Sequence, residues 1–406
     1  MIKKIQTEEL RVGMFIHDLN CGWMGHSFFR TRFMLKKDED LKKILEIGVR
    51  ELYIDTEKGL DADGLSREQA AAEVSKQLLR AAPPAPPPPT QTSHSEELSS
   101  AIRIQSEANQ VVHSLLSDVR LGKQINVERV EPVVEQITDS ILRNQGTLVS
   151  LGRIKARDNY TFQHSVSVAT LMVSFCRYME MDRAQIHEAG IGAILHDIGK
   201  MKIPDHILNK PGKLTDAEFV IMKSHVPLGL EILQQTPGIS ATVLQISGEH
   251  HERYGGSGYP CDLKGQEISK LGRMAAIVDV YDAITSTRVY HTGMEPPVAL
   301  QKLFEWSKFH FDEELVQHFI QSIGIYPVGS LVRLASERIA VVIQQGESGL
   351  LYPLVRVVYD IRKRARIQPV DLDLSRDAGG TDAIIGGESP DYWGINPIDF
   401  LILDLG

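Results

Sequence analysis

From Ala81 to Thr90 the chain reads AAPPAPPPPT, a run that can enter neither a helix interior nor a central strand. Each proline lacks the N–H that those ladders need and fixes φ near −65°. The stretch reads as a semi-rigid spacer in preference to a docking motif. We assign residues 73–95 to this Pro-rich linker, with 1–72 before it and 96–406 after it.

Residues 1–72 read as a small α/β accessory domain. Val12–Ile16 and Phe28–Leu35 have the composition of strands. Asp38 can cap a short helix through Leu41, Ile44 and Leu45 that stops at Gly48, and Glu51–Ile54 returns as a strand. Met14 and Phe15 are expected in the strand core. No cluster of metal-ligating or nucleophilic side chains falls here, so this part is expected to do no chemistry.

From Glu96 the pattern turns helical. Leu98, Ile102, Val112, Leu115 and Val119 recur at helical spacing, as do Val130, Val133, Val134, Ile137 and Ile141. After about Gly324 it changes to β-rich runs at Ser330–Leu334, Ile339–Ile343 and Leu354–Tyr359. The tail from Ser375 is rich in Gly and Asp and is expected to be loosely ordered, with Trp393 and Phe400 as docking residues. The expected fold is multidomain: an all-α catalytic domain over 96–324, the small α/β N-terminal domain, and a small β-rich appendage with its tail over 325–406.

Composition limits the partners. A formal charge of −9 over 406 residues argues against a general DNA- or RNA-polymer binder, which would carry a broad basic face. It leaves room for a small phosphate ligand held by metals and a few local cations. Cys21, Cys176 and Cys261 are isolated and suggest neither disulfides nor a zinc knuckle. Met1–Leu10 lacks the apolar stretch of a signal peptide, and no segment has the run of apolar residues needed for a membrane span. A soluble, cytoplasmic protein is expected.

The helical region carries its histidines in separated segments. His164 sits on a helix near 162–180, on the face of Val168, Leu171 and Phe175. His196 and Asp197 are neighbours, about 100° apart if helical. His225 comes after a capping box, Thr215-Asp-Ala-Glu218, on the helix that box opens. His250 shares a stripe with Val243 and Ile246, and His251 is next to it. Asp279, Asp282 and Ser286 fall at i, i+3 and i+7. Polar groups on apolar faces need partners, and a metal supplies them. A lone His-Asp dipeptide is usually structural; the ordered set is not. Asp197 offers two oxygens and can bridge two metals, His196 binds one, and His225, His250 and His251 can make a second, histidine-rich site. Two ions roughly 3.5–4 Å apart suit hydrolysis of a phosphodiester. Lys200, three residues after Asp197, is placed to neutralise phosphate charge. His17, His26, His94 and His113 lie outside the set and read as packing or solvent residues.

The stretches Leu195-His-Asp-Ile-Gly-Lys200, Met222-Lys-Ser-His225, His250-His-Glu-Arg253, Gly256-Ser-Gly-Tyr-Pro260 and Asp279-Val-Tyr-Asp282 together resemble the HD-GYP family of metal-dependent cyclic-dinucleotide phosphodiesterases. The resemblance covers residues 150–324 closely. The first 72 residues resemble an uncharacterised domain often found ahead of HD-GYP domains. The family resemblance implies an HD-superfamily helical catalytic domain holding two divalent ions, Fe or Mn. His196, Asp197 and Asp279 would hold one, Asp197, His225, His250 and His251 the other, with His164 the remaining ligand. Asp197 and Lys200 would be catalytic, and Lys200, Tyr259 and Arg288 would contact substrate. The implied reaction opens cyclic di-GMP to linear pGpG and then yields GMP. Alternatives are a cyclic GMP–AMP phosphodiesterase, a mononuclear nucleotidase of the wider superfamily, or a non-catalytic module binding nucleotide or a partner. Partner signalling proteins would engage the N-terminal domain or the linker.

Three positions depart from the family pattern. Tyr160 stands where members with a third metal carry Glu. Gly255-Gly256 replaces the common Asp-Gly and should loosen the loop. His291 stands where a second basic residue often helps to hold phosphate.

Overall fold

The structure, a computed structural model, describes residues 2–18, 33–37, 40–41, 44, 51–55, 92–152, 160–286, 293–346, 351–375 and 382–403. The chain divides into two compact units, Met1–Pro83 and Pro84–Gly406.

In the first unit β1 (Ile2–Gln6), β2 (Phe15–Asp18), β3 (Phe33–Met34) and β4 (Glu51–Asp55) form an antiparallel sheet in the order β1-β4-β2-β3. Ile5, Leu10, Met14, Ile16, Leu35, Ile44, Leu52 and Ile54 close its core. The strand expected from Val12 begins only at Phe15, because Gly13 turns the chain at φ 101°. β1 escapes sequence reading: Ile2 and Ile5 flank two lysines and break the period-2 alternation by which strands are recognised. The expected helix lies mostly outside the described residues, of which Asp40, Leu41 and Ile44 are helical.

The second unit starts with α1 (His94–Arg120), two residues earlier than the apolar pattern suggests. Ser93 and Glu96 form a reciprocal capping box that fixes the start. α2 (Glu131–Arg143) and α3 (Gln145–Leu151) come after it, the latter capped by Asn144, whose side chain accepts from the N–H groups of Gly146 and Thr147. Next come α4 (Tyr160–Tyr178) and α5 (Arg183–Leu195), a 3₁₀ segment (Ile198–Lys202), α6 (Asp216–Lys223), α7 (His225–Gln234), α8 (Ala241–Glu249), α9 (Lys270–Thr285), α10 (Pro296–Ser307) and α11 (Glu313–Ile323).

α4, α5, α8 and α9 pack in a closed ring, each against the next. Apart from His225, which opens α7, the ligand candidates hang from this ring or from the turns leaving it. α11 braces it: Phe319 meets Phe175 of α4 at 5.3 Å and Tyr281 of α9 at 5.2 Å between ring centroids.

The helix opened by the Thr215–Glu218 capping box ends at Lys223, and His225 begins a new one, contrary to expectation. Pro227 gives the physical reason. It has no N–H for the Lys223 carbonyl and its ring crowds that carbonyl, so the ladder breaks and restarts with proline in the tolerated first turn.

β5 (Leu331–Leu334), β6 (Arg338–Gln344), β7 (Leu354–Asp360), β8 (Ala365–Asp373) and β9 (Ile384–Gly387) form an antiparallel sheet ordered β8-β7-β6-β5-β9. Over 382–403 the loosely ordered tail is overturned. β9 pairs with β5, and α12 (Pro390–Trp393) and α13 (Pro397–Leu401) come after it. Trp393 and Phe400 pack on the sheet core, while tail carbonyls accept from Arg356 and face His94. Among the described residues no helix is long and apolar enough to cross a membrane.

Candidate metal centre

Three of the histidines reach the centre through a helix end. His196 caps α5, His250 caps α8, and His225 opens α7; His164 alone projects from mid-helix, on α4. His196 and Asp197 are not helical neighbours as expected. Helix geometry ends at His196, and Asp197 starts the 3₁₀ turn at φ −100°, ψ 12°. That turn packs against α7 at backbone contact. A Cβ on Gly199 would stand 1.9 Å from the His225 carbonyl oxygen and 2.5 Å from the Gly229 nitrogen. Only glycine lets Asp197 approach His225 so closely.

Asp197 is 1% exposed and central. Its Oδ1 lies 3.4 Å from His225 Nε2 and 3.7 Å from His250 Nε2. Its Oδ2 lies 3.2 Å from His196 Nε2 and 3.6 Å from His164 Nε2. The carboxylate thus faces one histidine pair with each oxygen. Two groups able to hold a cation share it: Asp197 with His225, His250 and His251, and Asp197 with His164 and His196. Asp279, on α9, approaches from the other side, with Oδ1 3.1 Å from His164 Nε2 and 3.9 Å from His196 Nε2, and Oδ2 3.8 Å from His251 Nδ1.

The tautomers are set from behind. His196, His225 and His250 each direct Nδ1 at the carbonyl three residues earlier, on Ala193, Met222 and Ser247, at 2.6 to 2.9 Å. A carbonyl only accepts, so Nδ1 carries the proton and Nε2 turns a lone pair to the centre. His164 directs Nδ1 at Asp282 Oδ2, 2.6 Å away.

Buried polar atoms are nearly always partnered. Here His196 Nε2, Asp197 Oδ1, His225 Nε2, His250 Nε2 and His251 Nδ1 are sealed from solvent without a hydrogen-bond partner. Four histidine nitrogens and one carboxylate oxygen left without partners here are what divalent cations would satisfy, and nitrogen and carboxylate oxygen are the donors that iron, manganese or zinc accept.

Charge states agree. Burial pulls His225 down to about 4 and His250 to about 3, against the attraction of Asp197. Burial and the charge of His250 hold His251 well below its ordinary value. Asp197 and Asp279 stay ionised well below the usual carboxylate range. Burial opposes this, but Lys200 and the histidines outweigh it at Asp197, and the His164 hydrogen bond with the charges of His251, His164 and His196 does so at Asp279. His196 is the exception: burial lowers it, yet Asp197 and Asp279 raise it further.

Lys200 lies on the wall of this centre, its ammonium bonded to Asp197 Oδ2. On a 3₁₀ turn residues three apart eclipse, which brings the two together. Tyr259 stacks near His251, with centroids 4.7 Å apart. Arg288 and His291 lie outside the described residues.

The loop that carries Tyr259 is not loosened by Gly255-Gly256, as expected from sequence. The N–H groups of Tyr254 and Gly255 bond to the carbonyls of His310 and Phe309. Glu252, 1% exposed, accepts from the N–H of Cys261 at 2.7 Å and of Leu263 at 3.0 Å, strapping the loop to the His250-His251 pair. In sequence Glu252 is one letter of the His250–Arg253 motif with no role of its own; the signal was an acid placed directly beside two ligand candidates. Gly258 is needed there because a Cβ would meet the Arg253 nitrogen at 2.4 Å.

Comparison with known proteins gives the family. The profile described as "HD domain" matches residues 151–315, and a domain of unknown function (DUF3391) matches residues 2–130. A cyclic di-GMP phosphodiesterase of Pseudomonas aeruginosa is 41% identical over 400 residues, covering 98% of this chain and 95% of the relative. A cyclic di-GMP phosphodiesterase of Vibrio cholerae is 35% identical over 227 residues, covering 50% of this chain and 46% of its own. A 3′3′-cGAMP-specific phosphodiesterase of the same organism is 34% identical over 169 residues, 41% of this chain and 32% of the relative. With a likeness that runs nearly end to end in the first of these and an HD domain spanning the whole centre, the chain belongs to the HD-GYP phosphodiesterases.

Proposed function

We propose that the chain hydrolyses cyclic di-GMP, opening it to linear pGpG and carrying it on to GMP. The observation behind this reading is Asp197, whose two oxygens face separate histidine groups as a bridging carboxylate would. The nearly full-length likeness to a cyclic di-GMP phosphodiesterase supports the substrate. His196, Asp197, Asp279 and His164 would hold one divalent ion, and Asp197, His225, His250 and His251 a second, iron or manganese in each case. When bound, the ions supply Lewis acidity and a water ionised near neutral pH.

The chain's own residues do the rest. Asp197 and Asp279 hold negative charge that keeps cations in place, and the carbonyl-bonded histidines offer Nε2 without rearrangement. Lys200 neutralises charge on the scissile phosphate, with Arg288 as a second phosphate contact. Tyr259, neutral because burial pushes its phenol up, offers a ring face and a hydroxyl to the nucleotide. Residues 1–72 and the linker 73–95 take no part in the chemistry and serve contacts with partner signalling proteins in the cytoplasm.

Likeness to a cGAMP-specific enzyme favours one second reading, the same hydrolysis on cyclic GMP–AMP. Purified protein of measured metal content, incubated with each cyclic dinucleotide and assayed by chromatography, separates the two. Conversion of cyclic di-GMP to pGpG and GMP is expected. Turnover of neither substrate by metal-loaded protein would overturn the proposal.

A further inference from the structure

Directly before His225, the short helix α6 buries none of its residues. It is held at its N-terminal end, by the Thr215–Glu218 capping box and the Lys210–Glu218 ion pair. Phe219 and Lys223 stand four residues apart and so share a face. That face meets Tyr259: the Phe219 and Tyr259 rings lie 6.4 Å apart at 90°, and Lys223 Nζ sits 5.3 Å from the first centroid and 5.8 Å from the second. Tyr259 in turn lies 4.7 Å from the His251 ring, so the group forms a wall running from the metal centre outward.

The Lys223 ammonium makes no hydrogen bond or ion pair with any described residue; two rings are its neighbours. Lys200, by contrast, is paired with Asp197 and serves the scissile phosphate beside it. A dinucleotide diester brings two phosphate charges toward a centre that contains two carboxylates, within a chain of net charge −9. The ions and Lys200 would meet the scissile phosphate; the second phosphate calls for a further cation at the wall, and Lys223 supplies one not used elsewhere. A purine presents a flat π-face, which aromatic rings bind without regard to the base's hydrogen-bonding edge.

We propose that Phe219 and Lys223 form, with Tyr259, the subsite for one nucleotide of the substrate. The two rings pack against the base and the ammonium takes a non-bridging phosphate oxygen. The proposal rests on the reading of the substrate as a cyclic dinucleotide.

The test is steady-state kinetics of metal-loaded, full-length protein on cyclic di-GMP. Phe219→Ala and Lys223→Ala should each raise KM about tenfold while kcat stays within about threefold and metal content is unchanged. Phe219→Trp and Lys223→Arg should restore KM, and added salt should narrow the gap between wild type and Lys223→Ala. Wild-type protein that cleaves neither cyclic di-GMP nor cyclic GMP–AMP overturns the function and this subsite together. An active wild type whose variants keep its KM overturns the subsite alone. Variants that lose metal together with kcat also overturn it, because α6 would then only support His225.

Discussion

His164 presents Nδ1 to Asp282 Oδ2 at 2.6 Å and Nε2 to Asp279 Oδ1 at 3.1 Å, so two carboxylates of one helix grip opposite edges of one ring. Asp282 comes three residues after Asp279 on α9, which puts both on the face turned to α4. A carboxylate behind an imidazole fixes its orientation and makes the far nitrogen a better ligand. Asp282→Asn should therefore lower kcat or metal affinity by about 10- to 100-fold with the fold intact. Metal content and kinetics after dialysis check this. An Asn variant with wild-type values on both would leave His164 without a dependence on its backing carboxylate.

Asp197→Ala should abolish hydrolysis and empty both halves of the centre, because its oxygens face both histidine groups. Elemental analysis is expected to show near-complete loss of bound metal, with a circular dichroism spectrum like that of the wild type. Retention of one ion per chain would show that the second histidine group does not need the bridge.

Gly199→Ala tests the backbone contact beneath the centre. Its Cβ would overlap the His225 carbonyl at 1.9 Å, and backbone on each side leaves no flexible neighbour to yield. The 3₁₀ turn must then withdraw from α7, taking Asp197 away from His225. We expect a lower melting temperature and loss of metal together. Gly212→Ala, at an exposed position with nothing within 4 Å of its Cβ but a φ of +117°, is the control that should lower stability without changing metal content.

Lys200→Met separates two roles for one ammonium. As a phosphate contact, its loss should cost about 10²-fold in kcat with metal content unchanged. Its bond to Asp197 allows another outcome, in which the variant binds metal differently because the carboxylate has lost a partner. Kinetics and metal analysis on the same sample decide between them.

Much of the centre was legible because its residues come in local pairs on apolar helical faces. His250 beside Val243 and Ile246, or His164 beside Val168 and Leu171, exposes a polar group that the fold must bury. Residues whose role depends on contacts between distant segments were not legible. Glu252 straps a loop through main-chain N–H groups of Cys261 and Leu263, and Phe219 meets Tyr259 across 40 positions of sequence. The split at Ser224 was readable in principle from Pro227, but the capping box of α6 outweighed it. β1 and the packed tail form by pairing with strands distant in sequence, which local periodicity does not report.

The histidines also predict how the metal-free protein responds to acid. His225 is drawn down to about 4 and His250 to about 3, against 6.5 for the unfolded chain, each mainly by burial. Between 6.5 and those values the unfolded chain binds more protons than the folded one, so stability rises with pH and is lost as pH falls through the window. His251 acts in the same sense. His196 acts in the opposite one: its pKa is raised, so its contribution is present below 6.5 and fades as pH rises through the folded value. Asp197 and Asp279 are depressed below 3.8 and add their own loss only at more acid pH. Below 6.5 His196 adds no slope, so the three depressed groups decide, and the melting temperature of chelator-treated protein should fall steadily from about pH 6.5 to about pH 4.5. His225→Asn and His250→Asn, combined, should flatten that slope. Divalent metal should shift the whole profile upward most strongly at neutral pH, because protons compete for the same lone pairs as the pH drops. A melting temperature that holds level or rises over this acid window would show that the histidines are not buried in their neutral form.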